Sequence, residues 1–361
     1  MFVGLFSTTI WLNVTSIIAI LYALNLCSKT DFQLLKGNNT YILSILLILL
    51  TTIYIGTRPL WCYGDAGLYT QIFNLVQSGI WKSLPGDTTE PIFSVLEYFC
   101  IEFTDASGWL FSIATIYIVG MCVAAHRWLP KHLLIAVIFL FTAFSFWGFA
   151  TNGIRNGMAT SIAMIGLSFF NRSKKKMIIG YAILIIASLT HKSCMLIIVA
   201  STVSLFFRNT KANVTIWLIC IILGLLFQEQ FKSLFIGLID DGRMSKYLNA
   251  DVDSAVFSTV GFRWDFILYS ALPIFIGRYV ISKQKIEDEI YPFILHTYIF
   301  SNAFWLLINT AAYSNRFAYL SWFLYPIVLV YPFCKFKFMN NQSIILGLML
   351  ISMTVFTYVM L

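Results

Sequence analysis

Charge is what this sequence has least of. Only 11% of its 361 residues are Asp, Glu, Lys or Arg, and histidine occurs four times. Soluble domains carry about a quarter charged residues, so a soluble enzyme is excluded. Also missing are GxxxxGK[ST], HExxH and GxSxG, which argues against a P-loop ATPase, a zincin and an α/β-hydrolase. Seven cysteines (Cys27, Cys62, Cys100, Cys122, Cys194, Cys220, Cys334) form no CxxC pair and lie mostly in apolar runs. An odd, scattered set of this kind reads as packing rather than a disulfide framework. The first apolar run, Thr8 to Cys27, lacks a basic leader and a small-residue cleavage motif, and reads as a first helix rather than a cleaved signal.

What remains is overwhelmingly apolar: 59% of residues, with a mean hydropathy of +0.81. A spanning helix takes about 20 residues, which leaves room for about eleven or twelve. The expected fold is therefore an all-α polytopic membrane protein, a single transmembrane domain over 1–361. Apolar runs fall near 8–27, 41–57, 108–128, 132–150, 153–170, 177–190, 191–207, 213–228, 264–282, 290–311, 316–334 and 343–361. Two polar stretches, 58–107 and 229–263, read as loops. The first holds amphipathic pieces, Tyr69 to Trp81 and Pro91 to Phe103, suited to the membrane surface.

The net charge of +8 invites a nucleic-acid reading. Its best basic run, Arg172 with Lys174, Lys175 and Lys176, is only a short loop between apolar segments, so no nucleic-acid partner is expected. The basic residues orient the chain instead, because cytoplasmic loops are enriched in Lys and Arg. With loop 28–40 inside and one crossing per run, the inner face collects fifteen positives and four acids, and the outer face nine positives and twelve acids. The split is +11 against −3. It requires runs 177–190 and 191–207 to be separate, joined by a turn at Thr190 to Ser193.

Ionisable groups at span ends are costly unless they are interfacial, paired or functional. On the outer side stand Arg58, Arg155, His191, Arg263 and Arg316, joined by Asp65 and Glu90 from the long loop. Each has a plain reading as an interface anchor or solvated charge. Arg155 fits that least, being inside a run between Gly153 and Gly157. Glu97, Glu102 and Asp105 are expected on a wet face. Arginine forks suit phosphate oxygens at any working pH, and carboxylates or a histidine supply a base. Trp61, Tyr63, Tyr69, Tyr313 and Tyr319 offer ring faces to sugars, or simply form the interfacial belt. The chemistry implied is a lipid-phosphate substrate handled on the outer face. Asp251-Val-Asp253 matches a metal and nucleotide-sugar motif, but falls in an outward loop where such donors are absent.

Tyr63-Gly-Asp65 with Tyr69, Glu90-Pro91 with Phe93, Gly153-Ile-Arg155-Asn-Gly-Met-Ala159, and Ala187-Ser-Leu-Thr-His191-Lys-Ser193 together resemble the EpsG-like group of Wzy-type polysaccharide (O-antigen) polymerases. The ordered set covers about 57–200, with weaker support from Arg316-Phe-Ala-Tyr319. Where that family more often has Gln after the arginine, this chain has Asn156. The resemblance implies a metal-independent, cofactor-free glycosyltransferase of GT-C-like, multi-spanning architecture in the bacterial plasma (inner) membrane. Its substrate would be an oligosaccharide repeat on undecaprenyl pyrophosphate, and its partners membrane lipids and a chain-length regulator. Arg155 and Arg316, with Arg58 and Arg263 in reserve, would hold the pyrophosphate; Glu90 and His191, ahead of Asp65, would serve as base. A polysaccharide ligase shares donor and face. A flippase would show polar residues along the whole path, and here the interiors are nearly free of charge.

Overall fold

The computed structural model describes residues 2–28, 38–60, 64–82, 89–238, 261–283, 288–310 and 314–361. Among the described residues 84% are helical and no strand occurs. Helices are the natural outcome for apolar runs in lipid, where every backbone group must be satisfied within its own segment. Among the described residues six helices are long and apolar enough to cross a membrane: Ile10–Cys27, Ala106–Trp128, Trp264–Lys283, Ile290–Leu307, Asn315–Lys335 and Gln342–Met360. Three shorter apolar helices, Thr40–Gly56, Lys192–Phe206 and Thr210–Leu226, accompany them. The expectation of eleven or twelve spans counted apolar runs; several of those runs form helices of 17 residues or fewer, such as Ile154–Leu167 and Lys174–Thr190. A 14-residue helix reaches only about 21 Å, against about 30 Å of hydrocarbon.

Run 132–150 shows why a continuous apolar stretch need not be one helix. It forms two, Leu133–Thr142 and Phe144–Thr151, bent by 69° at Ala143, whose backbone is extended. The break frees carbonyls, and side chains take them up. Thr357 Oγ1 donates to Thr142 O at 2.7 Å and Trp147 Nε1 to Phe141 O at 3.0 Å, while Tyr117 OH adds a bond to Phe146 O, inside the second helix, at 3.2 Å. This is how non-helical backbone is tolerated at depth.

Two compact units divide the chain: Met1–Ile198 with Val330–Leu361, and Val199–Leu329. In the first unit we number α1 Phe2–Cys27, α2 Asn38–Gly56, α3 Gly64–Gln77, α4 Pro91–Phe103, α5 Ala106–Trp128, α6 Leu133–Thr142, α7 Phe144–Thr151, α8 Ile154–Leu167 and α9 Lys174–Thr190. Helix α5 is its axis. Asp105 caps it, its carboxylate accepting from Gly108 N at 2.9 Å. Helix α8 lies alongside, Gly120 facing Ser161, and α9 returns against α8 where Gly180 meets the Gly166 carbonyl. A Cβ at Gly180 would sit 2.9 Å from that oxygen and 2.7 Å from the Phe170 ring, so only glycine allows this approach.

The two ends of this unit differ in character. At one, Trp109 of α5 stacks on Phe73 of α3 and meets Phe93 of α4 edge-on, with Ile154 and Met158 of α8 in the same core. At the other, Arg127 Nε donates to Ser168 Oγ at 2.7 Å, and Arg172 Nη2 donates to the Arg127 carbonyl at 2.7 Å. Lys174, Lys175 and Lys176 open α9 there, exposed to solvent. Helix α8 separates the ends by about 20 Å.

The second unit is pinned by polar side chains without formal charge. Asn302 on Ile290–Leu307 accepts from Trp217 Nε1 at 2.8 Å and donates to Ser270 Oγ at 3.1 Å and Ser321 Oγ at 2.9 Å. Trp322 Nε1 also donates to Ser270 Oγ, at 2.7 Å. All five residues are fully buried, so four helices share one satisfied network.

Candidate active site

The end of the first unit rich in aromatics is where the charges gather. Asn152 and Gly153 both donate their amides to the Gly148 carbonyl, turning the chain sharply from α7 into α8. Gly157 lets α8 start against that turn: a Cβ there would lie 2.9 Å from Phe149 Cβ and 3.0 Å from its carbonyl oxygen. Arg155 is thus the second residue of α8. A cation at a helix N-terminus opposes the helix dipole and needs an anion beside it.

Glu90 supplies it. It occupies the N-cap position of α4, ahead of Pro91, yet makes no capping hydrogen bond. Its carboxylate turns to Arg155 instead, Oε2 lying 2.6 Å from Nη1, with the two side chains only 7% and 11% exposed. The guanidinium also lies over Tyr69 (4.8 Å) and Phe93 (5.7 Å). Its Nε is buried and makes no hydrogen bond among the described residues.

The other Glu90 oxygen faces His191, Oε1 to Nε2 3.8 Å. His191 ends α9, and a short 3₁₀ turn, Lys192–Cys194, follows before the next helix at Met195, so the break expected at Thr190 to Ser193 is present. Ser193 orients the ring: its amide donates to Nδ1 at 3.3 Å and its Oγ lies 2.7 Å from the same nitrogen. An N–H aimed at Nδ1 makes that nitrogen the acceptor, so the neutral imidazole carries its proton on Nε2, towards Glu90. Ser193 Oγ, whose proton the 2.7 Å contact with Nδ1 takes, also lies 3.3 Å from Asn156 Oδ1, which brings the histidine turn beside the residue after Arg155.

One acid departs from expectation. Glu102 and Asp105 are exposed, as expected, but Glu97 is only 5% exposed. It lies two turns along α4 from Glu90, in a stripe with Phe93 and Cys100 that faces the core. Burial pushes its carboxyl up to about 7, with the nearby Arg155 charge pulling the other way. The i, i+4, i+7 pattern of Phe93, Glu97 and Cys100 was the signal that could have placed it inside.

Arg58, buried after α2, donates from Nη1 to its own Ile55 carbonyl at 2.9 Å. In the second unit Arg263 grips Asp265 with both prongs, at 2.9 and 2.6 Å, and covers Phe266 at 3.5 Å. Arg316 is half-buried, and both it and Arg263 are within electrostatic reach of buried Tyr319. Asp65 is in α3, but its side chain is outside the described residues, as are Trp61, Tyr63, Tyr313 and the Asp251-Val-Asp253 motif. Among the described residues no three His, Cys, Asp or Glu side chains converge as a metal site requires.

The model of the EpsG family matches residues 7–361, nearly the whole chain. This chain belongs to the EpsG family. That is the family of Wzy-type polymerase-like proteins, and membership supports a polysaccharide polymerase-like membrane protein. Neither a curated protein nor a solved structure matches it. The ordered motifs from Tyr63 to Ser193 that carried the resemblance supply the Glu90, Arg155 and His191 cluster.

Proposed function

We propose that this EpsG-family protein polymerises lipid-linked polysaccharide repeats on the outer face of the bacterial plasma membrane, with undecaprenyl pyrophosphate as the leaving group. The observation that carries the reading is Glu90, held between Arg155 and His191 at one end of the first unit. Sidedness is supported by the basic cluster of Arg127, Arg172 and Lys174 to Lys176 at the opposite end, the face that the positive-inside rule puts in the cytoplasm.

In the proposed reaction a hydroxyl of the acceptor sugar attacks the anomeric carbon of the donor glycan. The bond from that carbon to the pyrophosphate oxygen breaks, and undecaprenyl pyrophosphate leaves with the electron pair. Arg155 meets the charge that builds on it, a contribution that preorganised cations make to the transition state. Arg316, in the second unit, stays the other candidate for that task. As the pyrophosphate takes the Arg155 fork, Glu90 gives up its partner, and its carboxylate accepts the hydroxyl proton beside His191 Nε2–H. Asp65 ranks behind these two as base. The arginines supply the positive charge, so the scheme is metal-independent.

Purified protein in lipid nanodiscs, given the undecaprenyl-pyrophosphate-linked repeat of its own host, tests the reading. A ladder of products, with one undecaprenyl pyrophosphate released per new bond, supports polymerase activity. Transfer of single repeats to an added acceptor lipid, without a ladder, would instead make it a ligase.

A further inference from the structure

Glu97 is a buried carboxylic acid for which the reaction above has no use. It sits seven residues beyond Glu90 on α4, a helix that is not one of the spanning segments, so the two acids share a face about 10 Å apart along the axis. Glu90 pairs with Arg155 directly, and the neighbours of Glu97 on α4, Phe93 and Cys100, pack in one core with Ile154 and Met158 of α8, which brings the second acid within electrostatic reach of the same guanidinium. The charged and titratable groups on this side of α4 are few among the described residues. Arg155 comes from α8, Tyr69 from α3, and His191 from the end of α9; α5 adds only Asp105, spent on its cap, and α4 itself adds Glu90 and Cys100. Arg155 is therefore the one cation and Glu97 the second acid bearing on it.

We propose that Glu97 is a positioning residue for the anion site, neutral while Arg155 binds a pyrophosphate and competing for the guanidinium once it ionises. The inference rests on the reading of Arg155 as a pyrophosphate ligand. With Glu90 alone, Arg155 and Glu90 sum to zero charge, and a pyrophosphate has a single carboxylate to displace from the guanidinium. A second carboxylate at Glu97 would turn the cluster net negative and repel any phosphate. Burial holds the Glu97 carboxyl up to about 7, so the change falls where a small rise in pH decides the charge. A bound pyrophosphate adds negative charge beside it and favours the protonated acid further. Binding is then linked to proton uptake in the pH range where free Glu97 ionises.

The test uses the full chain in nanodiscs and inorganic pyrophosphate as the probe, with affinity measured from pH 6 to pH 8.5 in wild type and Glu97→Gln. The glutamine is neutral at every pH, and the titration of pyrophosphate itself is common to both proteins. Wild-type affinity should fall, relative to Glu97→Gln, by up to about tenfold per pH unit above the Glu97 transition; at pH 6 the two should agree. Identical pH profiles would overturn the inference and leave the Arg155 reading intact. A wild type that binds no pyrophosphate at any pH would remove that reading and this inference together. If Glu97→Gln does not fold, wild type alone decides: adding pyrophosphate at pH 7.5 should strengthen the infrared band of a protonated carboxylic acid, and an unchanged band overturns the proposal.

Discussion

Glu90 Oε2 and Arg155 Nη1 lie 2.6 Å apart although 65 residues separate them in the chain. Neither residue serves its own helix: Glu90 leaves its N-cap duty undone, and Arg155 opposes its helix dipole. What each forgoes locally is offset by the pair, buried against Tyr69 and Phe93.

Removing the cation should stop the chemistry without preventing insertion. Arg155→Ala is expected to lower chain extension by about 10²-fold or more, the scale on which a preorganised charge-stabilising donor acts. Extension in nanodiscs, beside a size-exclusion profile that matches wild type, checks this. Wild-type rates in a well-folded Arg155→Ala protein would remove Arg155 from the site.

Removing the anion should cost stability as well. Glu90→Ala leaves the Arg155 charge buried with its ion-pair partner gone, at a cost of about 3–5 kcal/mol. Thermal unfolding in detergent should show a clear drop for Glu90→Ala. The double variant Glu90→Ala with Arg155→Met should recover much of it.

Ser193 acts through His191. Ser193→Ala keeps the backbone amide at Nδ1 but loses the hydroxyl, worth about 1 kcal/mol. Extension should fall about fivefold at unchanged expression, and Ser193→Thr should restore most of it.

Linkage gives Glu97 a second signature. Its carboxyl rises from an ordinary value of 4.5 to about 7 in the folded protein, so the fold binds this proton more tightly than the unfolded chain does. The stabilisation is fully present below pH 4.5 and is lost as pH rises through about 7. Chemical unfolding of wild type should therefore show less stability at pH 8 than at pH 6, a slope that Glu97→Gln flattens.

In the second unit, Asn302→Leu should destabilise without touching a charge. It strands Trp217 Nε1 and alters the bonding of Ser270 and Ser321, each buried. A buried donor left unmade costs about 1–3 kcal/mol. The melting temperature in detergent is the readout, and Asn302→Gln should not rescue it, because an added methylene moves the amide off three partners now at 2.8, 2.9 and 3.1 Å.

The charges of the site were legible because charge in an apolar sequence is costly and stands out. Glu90, Arg155 and His191 needed no structure to be singled out. Their mutual geometry did, because Trp109 and its neighbours on α3, α4, α5 and α8 set it, not local spacing. Glu97 was misplaced on a wet face because the surrounding 58–107 stretch is polar on average, and the average hides the buried stripe of α4. The break at Ala143 was invisible for another reason. Alanine is the best helix former, and the bend is held from outside, by Thr357 on the last helix. Helix lengths, and with them the number of true spans, depend on such breaks, whereas the all-helical membrane class follows from composition alone.

The central claim is most directly tested by deleting the gene in its host and resolving the surface polysaccharide on a gel. The account predicts that the ladder collapses to a core carrying one repeat, with the ladder restored by the wild-type gene and not by Arg155→Ala. An unchanged ladder, or loss of even the single repeat, would contradict it.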